Sequence, residues 1–111
     1  MRLSQKQVDV IKQAAGKCIR YVGAKVFLFG SRADDSKKGG DIDLLFEIPG
    51  FSGDSLRMKL DFMTEYSKHL DEEKIDITIY DPTNPKDENK IFVNTIGKKI
   101  LLWEENQKAG G

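Results

Sequence analysis

Hydrophobic residues recur along the chain with two different periods, and together these periods predict helices alternating with short strands. Residues 4–22 and 56–70 carry apolar side chains three or four positions apart, which is typical of a helix with one buried face. The first face consists of Val8, Ile11, Ala15, Cys18, Ile19 and Val22, and the second of Leu56, Leu60, Met63, Tyr66 or Ser67, and Leu70. Aliphatic and aromatic runs predict strands at residues 24–29, 41–48, 74–80 and 100–103, and a short helix is expected at residues 87–96.

The order of these elements predicts one α/β (α+β) domain, a small mixed sheet of about four strands with helices packed on one face. The 111 residues can build a single modest core, and we expect this domain to span residues 1–105, with residues 106–111 as a flexible C-terminal tail. Ser4 and Gln7 have the spacing of a capping box at the start of the first helix. Asp54 or Ser55 can cap the second helix.

Carboxylates stand inside two of the predicted strands. Because side chains alternate between the two faces of a strand, Asp41 and Asp43 share one side of the second strand, opposite its aliphatic residues. Asp76 occupies the corresponding side of the third strand. If the two strands are neighbours, three aspartates gather on one face of the sheet.

Such a cluster is either the hydrated face of a sheet or a site for a cation. Aspartate is depleted in strands, and like charges that face each other across strands are destabilising by up to about 1 kcal/mol per pair. Mg²⁺ prefers oxygen ligands and usually takes one or two protein carboxylates together with water and substrate phosphate. The pattern therefore favours a metal site over a hydrated face.

The dipeptide Gly30-Ser31 follows the first predicted strand, eleven residues before Asp41. A glycine at a strand end permits a sharp turn and the close approach of a ligand to the main chain, while the serine supplies a hydroxyl group. An isolated Gly-Ser is usually an ordinary turn, but its combination with the three aspartates is more specific and suits phosphate oxygens. The other common phosphate motifs, GxxxxGK[ST] and GxGxxG, do not occur in the sequence.

Charge and composition exclude several functional classes. Eighteen basic and eighteen acidic side chains give a formal net charge of zero, so we expect no broad basic face for nucleic acid. The only cysteine, Cys18, cannot form an internal disulfide, and no apolar run approaches the roughly 20 residues of a membrane-spanning helix. These features predict a soluble cytoplasmic protein without a membrane segment. Cys18 is expected in the core and the only histidine, His69, on the surface.

Three segments together resemble the DNA polymerase beta-like nucleotidyltransferase superfamily: GSRA, GGDIDLLFE and KIDITIYD. The resemblance covers roughly residues 26–81, and the closing NTIGKKILLW is similar to the last helix and strand of that family. The size of the chain resembles the minimal nucleotidyltransferase (MNT) antitoxins of HEPN/MNT toxin–antitoxin pairs. Many of those minimal members have an arginine just after GSRA, where this chain has Asp34-Asp35, and a serine where it has Gly40.

The resemblance implies a polymerase-beta-like nucleotidyltransferase fold, ATP as substrate and two Mg²⁺ ions as cofactors. In that family the first two aspartates bind both ions, which implies this role for Asp41 and Asp43. Asp76 matches the third carboxylate, which binds the catalytic ion near the attacking hydroxyl. All three would thus be catalytic residues.

The resemblance also implies a phosphate site. Gly30 and Ser31 match the turn that holds the β- and γ-phosphates of the nucleotide. Arg32 is either a further phosphate ligand or an ordinary solvated arginine.

We expect the acceptor of the transfer to lie on a partner, because 111 residues leave no room for a separate acceptor-binding domain. The resemblance implies an antitoxin that transfers AMP to a tyrosine hydroxyl of a helical HEPN toxin within a hetero-oligomer, with a homodimer as a further expectation. Two alternatives stay open. One is a non-catalytic antitoxin that covers a helical HEPN partner, and the other is nucleotidyl transfer to a small molecule within a complex.

Overall fold

The computed structural model describes residues 1–34, 36, 40–71 and 73–105. The predicted tail at residues 106–111 and the acidic residue Asp35 lie outside this part of the chain. None of the helices in the described part is long and apolar enough to cross a membrane.

The described chain forms helices and strands in the predicted order. The helices are α1 (Gln5–Cys18), α2 (Ser55–Ser67) and α3 (Lys90–Thr95), and a short 3₁₀ helix covers Gly30–Ala33. The strands are β1 (Lys25–Phe29), β2 (Ile42–Glu47), β3 (Ile75–Tyr80) and β4 (Ile100–Glu104).

The four strands form one mixed sheet with the order β3-β2-β1-β4. β1 runs antiparallel to both β2 and β4, whereas β2 and β3 are parallel. The chain therefore crosses over between β2 and β3, and α2 is the connection. The predicted mixed sheet of four strands is confirmed.

α1 and α2 pack against one face of the sheet and enclose the hydrophobic core. The apolar face of β2, with Leu44 and Phe46, is fully buried beneath them. Phe62 of α2 contacts the ring of Phe46 edge to face, with centroids 5.1 Å apart. α3 has no buried residues and contacts β1 through the ring of Phe92, whose centroid lies 5.9 Å from that of Phe29.

The first helix begins where the sequence predicts and ends earlier. Ser4 forms the capping box, because the Gln7 amide donates to its hydroxyl at 3.0 Å and the Gln7 side chain accepts from the Ser4 amide at 2.7 Å. The helix ends at Cys18, since Ile19 takes an extended conformation that buries its side chain completely. Val22 was expected on the buried face, but it lies beyond the helix and is 66% exposed.

The predicted core face of α2 is wrong in part. Leu56 and Leu60 are exposed, while Phe62 and Tyr66 are fully buried. Both pairs have helical spacing. The aromatic pair faces the core because its larger side chains remove more apolar surface from water. Asp54 caps this helix by accepting from the Arg57 amide at 3.2 Å.

Candidate active site

The parallel pairing of β2 and β3 brings the predicted aspartates together. Asp43 and Asp76 are direct partners in the register of the two strands, so their side chains leave the same face of the sheet side by side. Asp41 lies directly before β2, and its charge acts on Asp43. Asp76 is exposed, and Asp41 and Asp43 are half-buried.

The electrostatics of Asp43 show how closely the acids interact. The pKa of Asp43 is raised, first because the carboxyl is partly buried and then because the charges of Asp76 and Asp41 oppose its ionisation. Ionisation of Asp43 thus costs more free energy in the folded protein than in the unfolded chain. A cation beside it would reverse this effect, because positive charge stabilises the ionised form.

The chemistry of the acidic group fits a hard divalent cation, since Asp41, Asp43 and Asp76 all offer carboxylate oxygens. Within the described ranges, no three histidine, cysteine or acidic side chains stand close enough to hold one ion together. An ion at this face would therefore take a pair of carboxylates, which agrees with the one or two that Mg²⁺ usually takes from a protein.

A lysine that the sequence analysis did not single out also contacts this face. The ammonium nitrogen of Lys74 lies 3.5 Å from Oδ2 of Asp41. Lys74 precedes β3, and the sequence carries no sign of the pair because the partners are thirty-three positions apart. Lys74 thus supplies positive charge to one member of the acidic group.

Gly30 places the turn after β1 directly against Asp43. Its φ of +72° belongs to the left-handed region, which favours glycine. A Cβ atom at this position would lie 3.2 Å from the carboxylate carbon of Asp43 and closer still to its Oδ2. The predicted phosphate turn and the predicted metal ligands therefore form one continuous site.

Ser31 is packed against a second glycine. Gly40 has a φ of +91°, and a Cβ atom there would lie 3.3 Å from Cβ of Ser31 and closer still to its hydroxyl. A serine in place of Gly40 would need this hydroxyl to move. Because residue 40 is glycine here and not serine, the backbone before Asp41 can pack directly against the Gly30-Ser31 turn.

The structure places Arg32 on the backbone around the turn. Its guanidinium donates to the carbonyl oxygens of Gly40 at 3.2 Å and Arg2 at 3.0 Å. Arg2 in turn donates its own side chain to the carbonyl of Ser31 at 3.0 Å, and its amide bonds the carbonyl of Arg32 at 2.8 Å. Arg2 was missed in the sequence because nothing near residue 2 indicates a contact with residues 31 and 32. The two arginines together hold the turn in place.

A part-buried polar network includes Glu73, which lies shortly before β3 in the chain. The hydroxyl of Tyr66 donates to the carboxylate of Glu73, and the side chain of Gln7 donates to both oxygens of the same carboxylate at 2.8 and 3.1 Å. The network joins α1, α2 and the residue before Lys74. The network thus fixes the position of Glu73 and of the start of β3, where Asp76 lies.

The remaining candidates lie away from the acids. His69 is exposed and lines a surface cavity with Lys6 and Asp71. Burial, together with the charges of Glu65 and Asp61, raises the pKa of the half-buried Cys18 thiol, which makes this thiol a poor nucleophile.

One mixed four-stranded sheet thus carries the paired aspartates and the glycine-serine turn. The sequence profile of the nucleotidyltransferase domain family matches residues 6–98, and the chain belongs to this family. Domains of this family generally use a nucleoside triphosphate and a divalent metal. Membership confirms the superfamily that the three motifs resemble.

A solved structure supports the same fold. A Sulfolobus solfataricus protein, provisionally named a nucleotidyltransferase, superimposes with a TM-score of 0.51 and 20% sequence identity. The match covers 95% of this chain and 93% of that protein. No protein in the curated collection matches this chain.

Proposed function

We propose that this protein is a Mg²⁺-dependent nucleotidyltransferase that acts as an antitoxin, transferring AMP from ATP to a tyrosine hydroxyl of a helical HEPN-type toxin. The observation that carries the catalytic part is the contact of Gly30 with Asp43, next to Asp76. It joins a turn suited to phosphate with carboxylates suited to a metal. The antitoxin role, the tyrosine acceptor and the HEPN partner rest on the resemblance of the sequence to the minimal members of the family.

The proposed reaction is a displacement at the α-phosphorus of ATP. The acceptor hydroxyl oxygen forms a bond to this phosphorus, the bond from phosphorus to the bridging oxygen of the β-phosphate breaks, and pyrophosphate leaves. The hydroxyl proton passes to solvent. When bound, Mg²⁺ supplies positive charge at the attacking and leaving oxygens.

The residues of this chain bind and orient the reactants. Asp43 would hold the metal in a pair with Asp41 or with Asp76, and Gly30 and Ser31 would hold the β- and γ-phosphates. Arg32 would hold the turn through its bonds to two backbone carbonyls, and its remaining N–H groups can still donate to a phosphate, as the family resemblance implies.

The raised pKa of Asp43 supports a catalytic over a purely binding role. A surface that only covers a partner gains nothing from carboxylates that oppose one another's ionisation. Transfer to a small molecule remains the second enzymatic candidate, since the same acids would serve any hydroxyl acceptor.

Labelled ATP tests the proposal. The protein is mixed with Mg²⁺, with the product of the neighbouring gene and with ATP labelled at either the α- or the γ-phosphate, and covalent label on the neighbour is measured. We expect label from the α-phosphate alone, lost in Asp41→Asn and Asp43→Asn. Asp61→Asn is the matched control, because Asp61 pairs with Arg57 on the exposed side of α2.

The other outcomes separate the alternatives. Label from the γ-phosphate would identify a kinase and contradict the proposal. A stable complex without label would favour the non-catalytic antitoxin. Label that persists in Asp41→Asn would show that the aspartates do not carry the reaction.

A further inference from the structure

A cavity of about 360 Å³ lies between the Gly30-Ser31 turn and the segment that joins α3 to β4. The turn forms one wall, and Lys98 lies in another. Building on the proposed function, we propose that this cavity receives the terminal phosphates of the nucleotide and that Lys98 is the cation that binds them. Lys98 lies in the stretch NTIGKKILLW, whose similarity to the last helix and strand of the family assigns it no role.

The other cations near the site already have partners. Arg32 donates to two backbone carbonyls, Lys74 pairs with Asp41, and Lys99 lies 3.8 Å from a carboxylate oxygen of Glu47. Lys98 forms no hydrogen bond or salt bridge with any residue of the described ranges, and its side chain is exposed. Its ammonium group is thus available to an anion that enters the cavity.

The lining of the cavity also contains an acidic residue. Asp34 lines it as well, and its carboxylate accepts from the amide and the hydroxyl of Ser36 at 2.9 and 2.7 Å. Within the described part of the lining, Lys98 is the only basic side chain. Terminal phosphates carry several negative charges, so they would meet repulsion from Asp34 that Lys98 offsets.

The position of Lys98 follows from an aromatic contact. Phe92 and Phe29 meet edge to face at 5.9 Å, and this contact holds α3 against the end of β1. α3 ends three residues before Lys98, which brings that residue beside the turn that follows Phe29. Lys98 thus lies in a different segment from the Gly30-Ser31 turn, and it would contact the phosphates from another wall of the cavity.

Binding measured in the presence of Mg²⁺, without any partner, tests this proposal. Dissociation constants of ATP and AMP are determined by calorimetry for the wild type, Lys98→Gln and Lys99→Gln. Lys99→Gln is the matched control, since it removes the same charge from the adjacent residue, whose ammonium lies over the Phe27 ring at 4.4 Å instead of in the cavity lining. We expect Lys98→Gln to weaken ATP binding about tenfold, as for the loss of one charge-assisted contact, and to leave AMP binding unchanged.

Four results would overturn the proposal: unchanged ATP affinity in Lys98→Gln, equal losses of ATP affinity in the two variants, an equal loss of AMP and ATP affinity in Lys98→Gln, or no binding of ATP to the wild type. The test is independent of catalysis. Selective loss of ATP affinity in a protein that labels no partner would leave the Lys98 site standing and refute the proposed function. Unchanged ATP affinity in Lys98→Gln, in a protein that does label its partner, would refute the Lys98 site and leave the proposed function standing.

Discussion

Gly30 and Asp43 are in contact at the centre of the candidate site: a Cβ atom on residue 30 would stand 3.2 Å from the carboxylate carbon of Asp43. The contact is possible because Gly30 is the first residue after β1 and has a φ of +72°, while Asp43 is the β2 partner of the last residue of β1. The same register that forms the sheet therefore sets the distance between the phosphate turn and the acids.

Replacing Gly30 with alanine should cost more stability than its backbone conformation alone explains. Gly50 has the same φ of +72° but nothing within 4 Å of its Cβ position, so Gly50→Ala measures the conformational cost, about 1–2 kcal/mol. We expect Gly30→Ala to lose at least about 1 kcal/mol more in free energy of unfolding, because Asp43 must move. Urea denaturation of the two variants measures the difference, and equal losses would contradict the contact.

The acidic site was predictable from the sequence because its signals are local. Alternation within a strand places Asp41 and Asp43 on one face, and the same rule places Asp76 on the corresponding face of β3. The direct pairing of Asp43 with Asp76 needed one further fact, the parallel register of β2 and β3. Periodicity does not supply that register.

The contacts around the site were not predictable, because their partners are distant in sequence. Gln7 and Glu73 are sixty-six positions apart, and Arg2 meets Ser31 across twenty-nine. The predicted core face of α2 was right for Tyr66 and wrong for Leu56 and Leu60, for a different reason. Its sequence offers two apolar faces at helical spacing, and only packing against Phe46 decides between them.

Neutralising Asp43 should stabilise the protein in the absence of metal. Its folded-state pKa is raised, so protonation favours the folded state at low pH, and this contribution is lost as pH rises through the folded-state pKa. Asp43→Asn should therefore be more stable than the wild type near neutral pH, by up to about 1 kcal/mol, with a difference that disappears as pH falls. Urea denaturation across pH measures this.

The Asp43 prediction is tested further by adding Mg²⁺ and by comparison with a control variant. Mg²⁺ should stabilise the wild type more than Asp43→Asn and so reduce the difference between them, because the cation favours the ionised carboxylate. Asp61→Asn, on the exposed side of α2, should show neither effect. A wild type that is more stable than Asp43→Asn at neutral pH without metal would show that the acids do not repel one another.

Removing the ammonium group of Lys74 should strengthen the binding of Mg²⁺. Lys74 lies 3.5 Å from Asp41 and competes with a metal for that carboxylate. Exposed pairs of this kind contribute about 0.2–1 kcal/mol, so Lys74→Gln should bind Mg²⁺ up to about fivefold more tightly in calorimetric titration. Lys68→Gln, which breaks a pair with Glu65 elsewhere, should leave the affinity unchanged. Weaker binding in Lys74→Gln would mean that the lysine positions Asp41 for the metal.

Removing the hydroxyl of Tyr66 should destabilise the fold, because the part-buried carboxylate of Glu73 would lose a donor while Gln7 alone remains. We expect Tyr66→Phe to lose about 1–3 kcal/mol in free energy of unfolding near neutral pH. Tyr21→Phe is the matched control. The Tyr21 hydroxyl only accepts a long bond of 3.4 Å from the Ser52 amide, and its loss should be small.

The stability of the same two variants should also differ in its dependence on alkaline pH. Burial and then Glu73 raise the pKa of Tyr66 in the folded protein above its ordinary value of about 10. Its contribution to stability is thus complete below about pH 10 and is lost above it, where the unfolded chain ionises and the folded protein does not. Urea denaturation at about pH 8 and about pH 10.5 should show a smaller alkaline loss of stability in Tyr66→Phe than in Tyr21→Phe. If both variants lose stability equally, the Tyr66 hydroxyl ionises as easily in the folded protein as in the unfolded chain, and the network with Glu73 does not hold its proton.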